Sequence, residues 1–550
     1  MDQETLNIRI ERIKKYLDQG KLELNSKNLV SSLMKVKYFP DNININPETV
    51  DSLVRSLALT VEMMEYEEEL LSTSLLETQQ AYFFLLDTFF GNIYDQMKQK
   101  GHTPHQVATV LSKDRKLVRS FSEDSKALRE NLYSHWQYYL PIVQAHLSRL
   151  NGIVSVFGGD IFPSYTSNIA RSAGLYVDTI LVPDPLLRAT TFFDQMPPEK
   201  ALYYLAKHAL NALQYKELAL AEVDTPVIVF VPDEKYFSET GYGDLEDQSQ
   251  YYTLEHLKEM FGVNFTNMNN ADSFLQEIQT PKDLFQRLAN PERMLFDTEW
   301  GHLSKEEQFH KWDSDNSWAF DIFPDDVSTG FKVKFMIHSR MLQSRDIIDR
   351  ASLYNGIPIV DAPTSWQYLL WNYEYRPNIS YSQVKSMLIS NSLTKINYNL
   401  IGNLSDTALI KLRQENALNE LRALLSKGIE EISTADNTTF DEVTTNVFAN
   451  IQDSISKHEK EVQELKNKNK TFWGLNLTNS IVTVGLDIAA AATGNTTLGI
   501  MSATLTGVLG APSLKDIVTK GGKLIDQNKK VKNSAISILY RNQNRSRFQS

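Results

Sequence analysis

Apolar positions along this chain change their spacing several times, and each change marks a different kind of structure. Leu6, Ile10, Ile13 and Leu17 recur by threes and fours, the spacing that lines one face of an α-helix, and residues 1 to 151 keep that texture throughout. Within them Tyr82, Phe83, Phe84, Phe89, Phe90 and Tyr94 put rings on every face of one helix. That predicts a helix central to a core or an interface, since a helix apolar all round is a buried one.

The texture changes near Gly152. Ile153 to Phe157, Tyr176 to Val182, Val227 to Val231 and Ile357 to Val360 are apolar runs of strand length, rich in β-branched residues and bounded by Gly or Pro. Helical stretches such as Pro198 to Glu222 lie between them, and this alternation predicts a buried, mostly parallel sheet. Residues 241 to 328 are rich in Asp, Glu, Asn and Gln and read as a loop-rich insertion with short helices at Leu254 to Met260 and Pro281 to Leu288.

Helical spacing resumes after Pro377. Leu418, Leu421, Leu425, Ile429 and Ile432 form one stripe, and Val443, Val447, Ile451, Ile455, Val462 and Leu465 form another. Between them lies the polar loop Thr434 to Thr438, and Thr439 to Glu442 has the pattern of a capping box, so the two helices are expected to pair antiparallel.

The last change is the largest. Thr471 to Leu514 is a run of 44 residues whose single charge is Asp487, split by Thr493-Gly494-Asn495-Thr496 into two apolar arms, Phe472 to Ala492 and Thr497 to Ala511. Gly and Asn at the break reverse direction, so the run predicts an apolar helical hairpin. The fold class expected is therefore multidomain and mainly α, with a central α/β region holding a short, mostly parallel sheet, and this hairpin near the C-terminus. The corresponding domains are 1 to 151, 152 to 377, 378 to 470, and 471 to 550.

Composition narrows the chemistry. A chain of 550 residues exceeds what one core organises, and 42% hydrophobic with 23% charged residues is the balance of a folded protein. The first residues carry charge from Asp2 and lack an apolar signal core, so a cytoplasmic location is expected. Cysteine is absent, which removes disulfides, thiolate metal ligation and thiol nucleophiles together. Net charge is -12, yet residues 515 to 550 hold nine Lys and Arg against two Asp; that tail is +7 and the rest of the chain -19. An acidic body argues against general nucleic-acid binding, so no specific nucleic-acid partner is expected, while the basic tail could meet phosphate, with DNA, RNA and anionic lipid as its candidates.

The hairpin and the basic tail together suggest an anionic membrane surface as partner. Lys515, Lys520 and Lys523 follow the hairpin directly, and juxtamembrane cations gain about 1 kcal/mol each near an anionic leaflet. Asp487 opposes insertion, because a carboxylate at mid-bilayer costs roughly 2.5 to 3.5 kcal/mol. A segment marginal in both solvents suits conditional insertion, and it suits burial in a homo-oligomer or against a protein partner equally well.

Catalytic signals are weaker. Asp160, Asp184, Asp233 and Asp361 each follow one predicted strand, and in open α/β sheets ligands bind beyond the carboxyl ends of the strands. Converging there, these acids would hold Mg²⁺ or Mn²⁺ for phosphoryl hydrolysis; outside that reading no cofactor or metal is expected. Asp beside Pro is also an ordinary strand exit, and the turn reading is favoured. His302, Glu306, Glu307 and His310 do not match H-E-x-x-H, and Ser304 to Glu307 is better read as a capping box opening a helix at Lys305. His208, and the cluster Trp366, Tyr368, Trp371, Tyr373 and Tyr375, read as core. No P-loop, nucleophile elbow or dinucleotide fingerprint occurs.

The leading expectation is a cytosolic, bacterial-type sensor and effector, toxin-like or of the phage-defence kind, whose hairpin conditionally engages the inner membrane; this reading leans away from an enzyme. A metal-dependent hydrolase or nuclease using the strand-end acids is the first alternative. A scaffold that oligomerises through its helices is the second.

Overall fold

In a computed structural model of the chain, the described residues are 2–41, 43–150, 152–158, 169–174, 177–190, 193, 196–237, 243–297, 300–320, 327–360, 362–375 and 406–414. The first helices are α1 (Gln3–Asp18), α2 (Lys27–Met34), α3 (Ser52–Leu70), α4 (Leu75–Lys100), α5 (Pro104–Leu111) and α6 (Arg115–Leu147). Then come β1 (Val154–Phe157), α7 (Ala170–Ala173), β2 (Thr179–Pro183), α8 (Pro185–Thr190), α9 (Pro198–Leu213), α10 (Lys216–Ala219), β3 (Ile228–Val231) and α11 (Glu234–Phe237). The remainder is α12 (Gly243–Phe261), α13 (Met268–Gln276), α14 (Pro281–Arg287), α15 (Lys305–Asn316), α16 (Thr329–Leu353), β4 (Ile357–Ile359), α17 (Pro363–Glu374) and α18 (Asp406–Gln414).

The described residues divide into two compact units, one from 1–89 with 126–151 and the other from 90–125 with those of 152–414; α4 and α6 each contribute to both. In the first unit Leu6, Ile10 and Ile13 of α1 are buried as their spacing predicts, joined by Tyr16, while Leu17 packs at the edge of the same cluster. Opposite them stand Val54, Leu57, Ala58 and Val61 of α3. Outside this seam the helices are laced by Arg9–Glu62 and Arg12–Glu65, both 2.8 Å, half-exposed pairs worth about 1 kcal/mol or less each. Tyr82 and Phe83 are fully buried, and Tyr82 lies 5.2 Å from the ring of Trp136. The aromatic stripe does not bury every face, however. Phe84 is 75% exposed, because a ring on each side of a helix exceeds what its neighbours cover.

The second unit holds the sheet. All four strands form where the apolar runs predict, and all pair parallel in the order β3-β2-β1-β4. Residues 154–157 and 228–231 are buried on both faces, which explains why 228–231 reads as a continuous apolar run; the first strand carries Ser155 within its apolar residues. The stretch Pro198 to Glu222, expected as one helix, ends at Leu213 and resumes as the short α10.

Residues 241 to 328 differ from expectation. Instead of long loops they carry α12, α13, α14 and α15, and their apolar residues enter one core with α16 and α17. Leu257, Met260, Ala271, Leu275, Leu284 and Phe309 are buried there with Val333, Ile337, Tyr368 and Trp371. The polar residues that suggested loops serve as N-caps, Asn267, Thr280 and Ser304, or occupy outward faces. Short helices with dense caps look like loops by composition.

Among the described residues no helix is long and apolar enough to cross a membrane. The apolar segment from 471, with Asp487, Lys515, Lys520 and Lys523, lies outside the described residues, as do the two helical stripes from Leu418 to Leu465.

Candidate functional site at the carboxyl end of the sheet

The strand order creates a topological switch point. After β1 the chain steps outward to β2 and β3, then returns to the other side of β1 as β4, and ligand crevices in open α/β sheets form beyond the carboxyl ends at such a reversal. Phe157 pairs with Ile359 there, and the Gly158 amide donates to the Ile359 carbonyl at 3.1 Å. Asp160 and Asp361, the acids that follow β1 and β4, lie outside the described residues.

The other two predicted acids follow the neighbouring strands β2 and β3. Asp184 is buried, and its carboxylate accepts the amide of Leu186 at 2.9 Å, the local bond of a residue that starts a helix. That is the turn role. Asp233 is also buried, but its partner comes from afar: the Arg350 guanidinium, 2.8 Å away.

Arg350 belongs to the final turns of α16, a helix that packs on β1 and β4 and returns through Tyr354 and Gly356 directly into β4. Those turns carry Arg345, Asp346, Asp349 and Arg350 beside the apolar Ile347 and Ile348. Arg350 Nε donates to Asp346 at 3.1 Å, Lys235 reaches Asp346 at 2.8 Å and Asp349 at 3.6 Å, and Arg345 meets Asp349 at 2.5 Å. Arg345 also donates to the Tyr252 hydroxyl of α12 at 3.3 Å. The result is one ionic cluster tying the corner between β3 and α11 to α16.

Glu234 stands apart within it. Its carboxylate lies 3.9 Å from Arg350, and Oε1 is buried with no hydrogen-bond partner among the described residues. Burial pushes its carboxyl up to about 7, against the opposing pull of Arg350.

Chemically, Asp233 is committed to a guanidinium and Asp184 to a helix start, and among the described residues no three His, Asp or Glu side chains gather in a way that could hold a metal ion. The strand-end acids that are described thus do different jobs. Ser304 caps α15 with the reciprocal Glu307 bonds that its pattern predicts, leaving His302 outside the helix and Glu306 and His310 exposed. His208 is wholly buried and stacks on Tyr204.

Sequence reading missed Arg345, Asp346, Asp349 and Arg350 altogether. A signal existed: four charges bracketing Ile347-Ile348 just before a buried strand place ions next to a core-facing pair. No family model, curated protein or solved structure matches this chain.

Proposed function

We propose that this protein is a conditional membrane effector, in which the helical and α/β units form the regulatory body and the segment from 471 to 514 is the part that engages lipid. One observation carries the reading: 44 successive residues hold a single charge, Asp487, and meet lysines at both ends. A helical hairpin of that composition keeps both termini on one side of a bilayer, with Lys466, Lys468 and Lys470 before it and Lys515, Lys520 and Lys523 after it. The carboxylate of Asp487 sets a barrier that a trigger must overcome, and the small residues Gly485, Gly499, Ala503 and Gly507 allow the arms to pack closely once inserted.

The test is co-flotation with anionic vesicles and dye release from them. Asp487→Asn should raise both, and Ala503→Asp should lower both. Reversing the charge of Lys515, Lys520 and Lys523 should weaken binding and flatten its salt dependence, since the attraction acts within about 8 Å at physiological ionic strength. If wild type and Asp487→Asn both stay in the soluble fraction beside intact vesicles, while deleting 471 to 550 unfolds or dissociates the protein, the segment is a core or an oligomer interface and the proposal fails.

A further inference from the structure

In this chain of net charge -12, cations such as Arg9, Lys21, Lys334 and Arg340 each meet a carboxylate at 2.6 to 2.8 Å. One stretch of the second unit does not follow them. Between the end of α4 and the second turn of α6 lie Lys98, Lys100, Lys113, Arg115, Lys116 and Arg119, with Asp114 as the single acid in residues 98 to 119. All six cations are exposed, and none forms an ion pair among the described residues. Asp114 is engaged in capping α6, where its carboxylate accepts the amides of Lys116 at 2.8 Å and Leu117 at 3.4 Å. The cations do not serve that helix, because Arg115 and Lys116 stand in its first turn, where the positive pole of the helix dipole disfavours them. Aliphatic side chains stand among them. Val110 is 70% exposed and Leu117 39%. The backbone between them is fixed, since the amides of Ser112, Lys113 and Asp114 donate to the carbonyls of Ala108, Val110 and Leu111 at 3.0 to 3.2 Å, and α5 packs on α9.

We propose that the α5–α6 corner, with the end of α4, is a docking surface for an anionic lipid bilayer. Its cations gain from the negative surface potential of such a leaflet, and Val110 and Leu117 reach the headgroup and acyl boundary; charge and apolar contact are the two signals that together hold a protein on a membrane. A nucleic acid matches the corner less well. Single strands are held by stacking on rings, and no Phe, Tyr or Trp occurs in residues 98 to 119, while the phosphates of a duplex leave Val110 and Leu117 without a partner. The contact is separate from residues 471 to 514, and it holds the body at the surface whether or not that segment inserts.

The chain lacks cysteine, so Val110→Cys gives the full-length protein one attachment point for a polarity-sensitive fluorophore. Vesicles of phosphatidylglycerol with phosphatidylcholine should shift its emission to the blue, phosphatidylcholine alone should not, and raising salt from about 0.05 M to about 0.5 M should reverse the shift. Each cation near an anionic leaflet is worth roughly fivefold in partition, so Lys113→Gln, Arg115→Gln and Lys116→Gln together should raise the lipid concentration needed for half the response about a hundredfold. Dye release from the same vesicles reports residues 471 to 514 separately. Release with an unshifted label overturns the corner and leaves the effector reading standing, and a shifted label without release does the reverse. Loss of the shift in an Ala503→Asp background would show that the inserted segment, not the corner, brings the label to lipid, and overturns the proposal. A label that shifts without vesicles as protein concentration rises, or with a DNA duplex but not with lipid, marks a protein or nucleic-acid surface and overturns it as well. Should the triple variant fail to fold, the salt and lipid dependence of the singly labelled chain decides.

Discussion

The Tyr375 hydroxyl lies 3.1 Å from Nδ1 of His256, and these two residues close a ring of hydrogen bonds. Nε2 of His256 lies 3.0 Å from the Arg293 carbonyl, which can only accept, so that nitrogen carries the proton. Nδ1 must then accept from Tyr375, whose oxygen in turn accepts from the Arg293 guanidinium at 2.5 Å. The ring works only with neutral imidazole, and burial pushes His256 down to about 3.

Acid should therefore destabilise this unit. A histidine whose folded value lies below its unfolded one binds protons preferentially in the unfolded chain, so stability falls as pH drops from about 6.5 toward 3. Loss of about 2 kcal/mol between about pH 6.5 and about pH 5 is expected from His256 alone, read by denaturant unfolding at each pH. His256→Phe should lower stability at neutral pH and make the acid slope shallower; an unchanged slope would show that the ring does not hold the imidazole neutral.

Arg413 ties α18 to the amino end of the sheet. Its guanidinium donates to the carbonyls of Val177 at 2.7 Å and Gly174 at 3.1 Å and is almost wholly buried, and Leu409 and Leu412 of the same helix are buried too. Arg413→Ala should cost about 3 kcal/mol, because buried carbonyls lose a charged donor. The check is limited proteolysis within 406 to 414, which should become faster well before the core melts.

Gly330 lies where α16 comes against the backbone at the end of α13. Its amide donates to the Ile278 carbonyl at 3.0 Å, and a Cβ there would collide with the Leu275 carbonyl oxygen. Backbone cannot swing aside as a flexible side chain can, so Gly330→Ala should destabilise by about 2 to 4 kcal/mol, measured as a lower Tm. A variant melting like the wild type would mean that the helices separate freely.

Asp233 separates the ionic cluster from the hydrolase alternative. Asp233→Asn leaves Arg350 with less compensation in a buried site and should cost about 2 to 4 kcal/mol with no change in Mn²⁺ titration. Loss of Mn²⁺ binding at unchanged stability would instead support the metal reading of the strand-end acids.

Much of the architecture was legible in the chain itself. The helix α1, the four strands and the cap at Ser304 follow from periodicity or capping, because hydrophobic spacing and free helix amides are local demands met by local residues; of the five aromatics read as core, Trp366, Tyr368 and Trp371 are buried and Tyr373 and Tyr375 only partly so. The singly charged run from 471 to 514 is likewise a property of sequence, and the functional proposal rests on it. Tertiary structure alone decided the rest. That β4 returns beside β1 to create a switch point depends on long-range pairing. That Asp233 meets Arg350 across more than a hundred residues depends on where α16 packs. Charge neighbours are set by through-space distance in a low-dielectric interior, and no spacing along the chain encodes that distance.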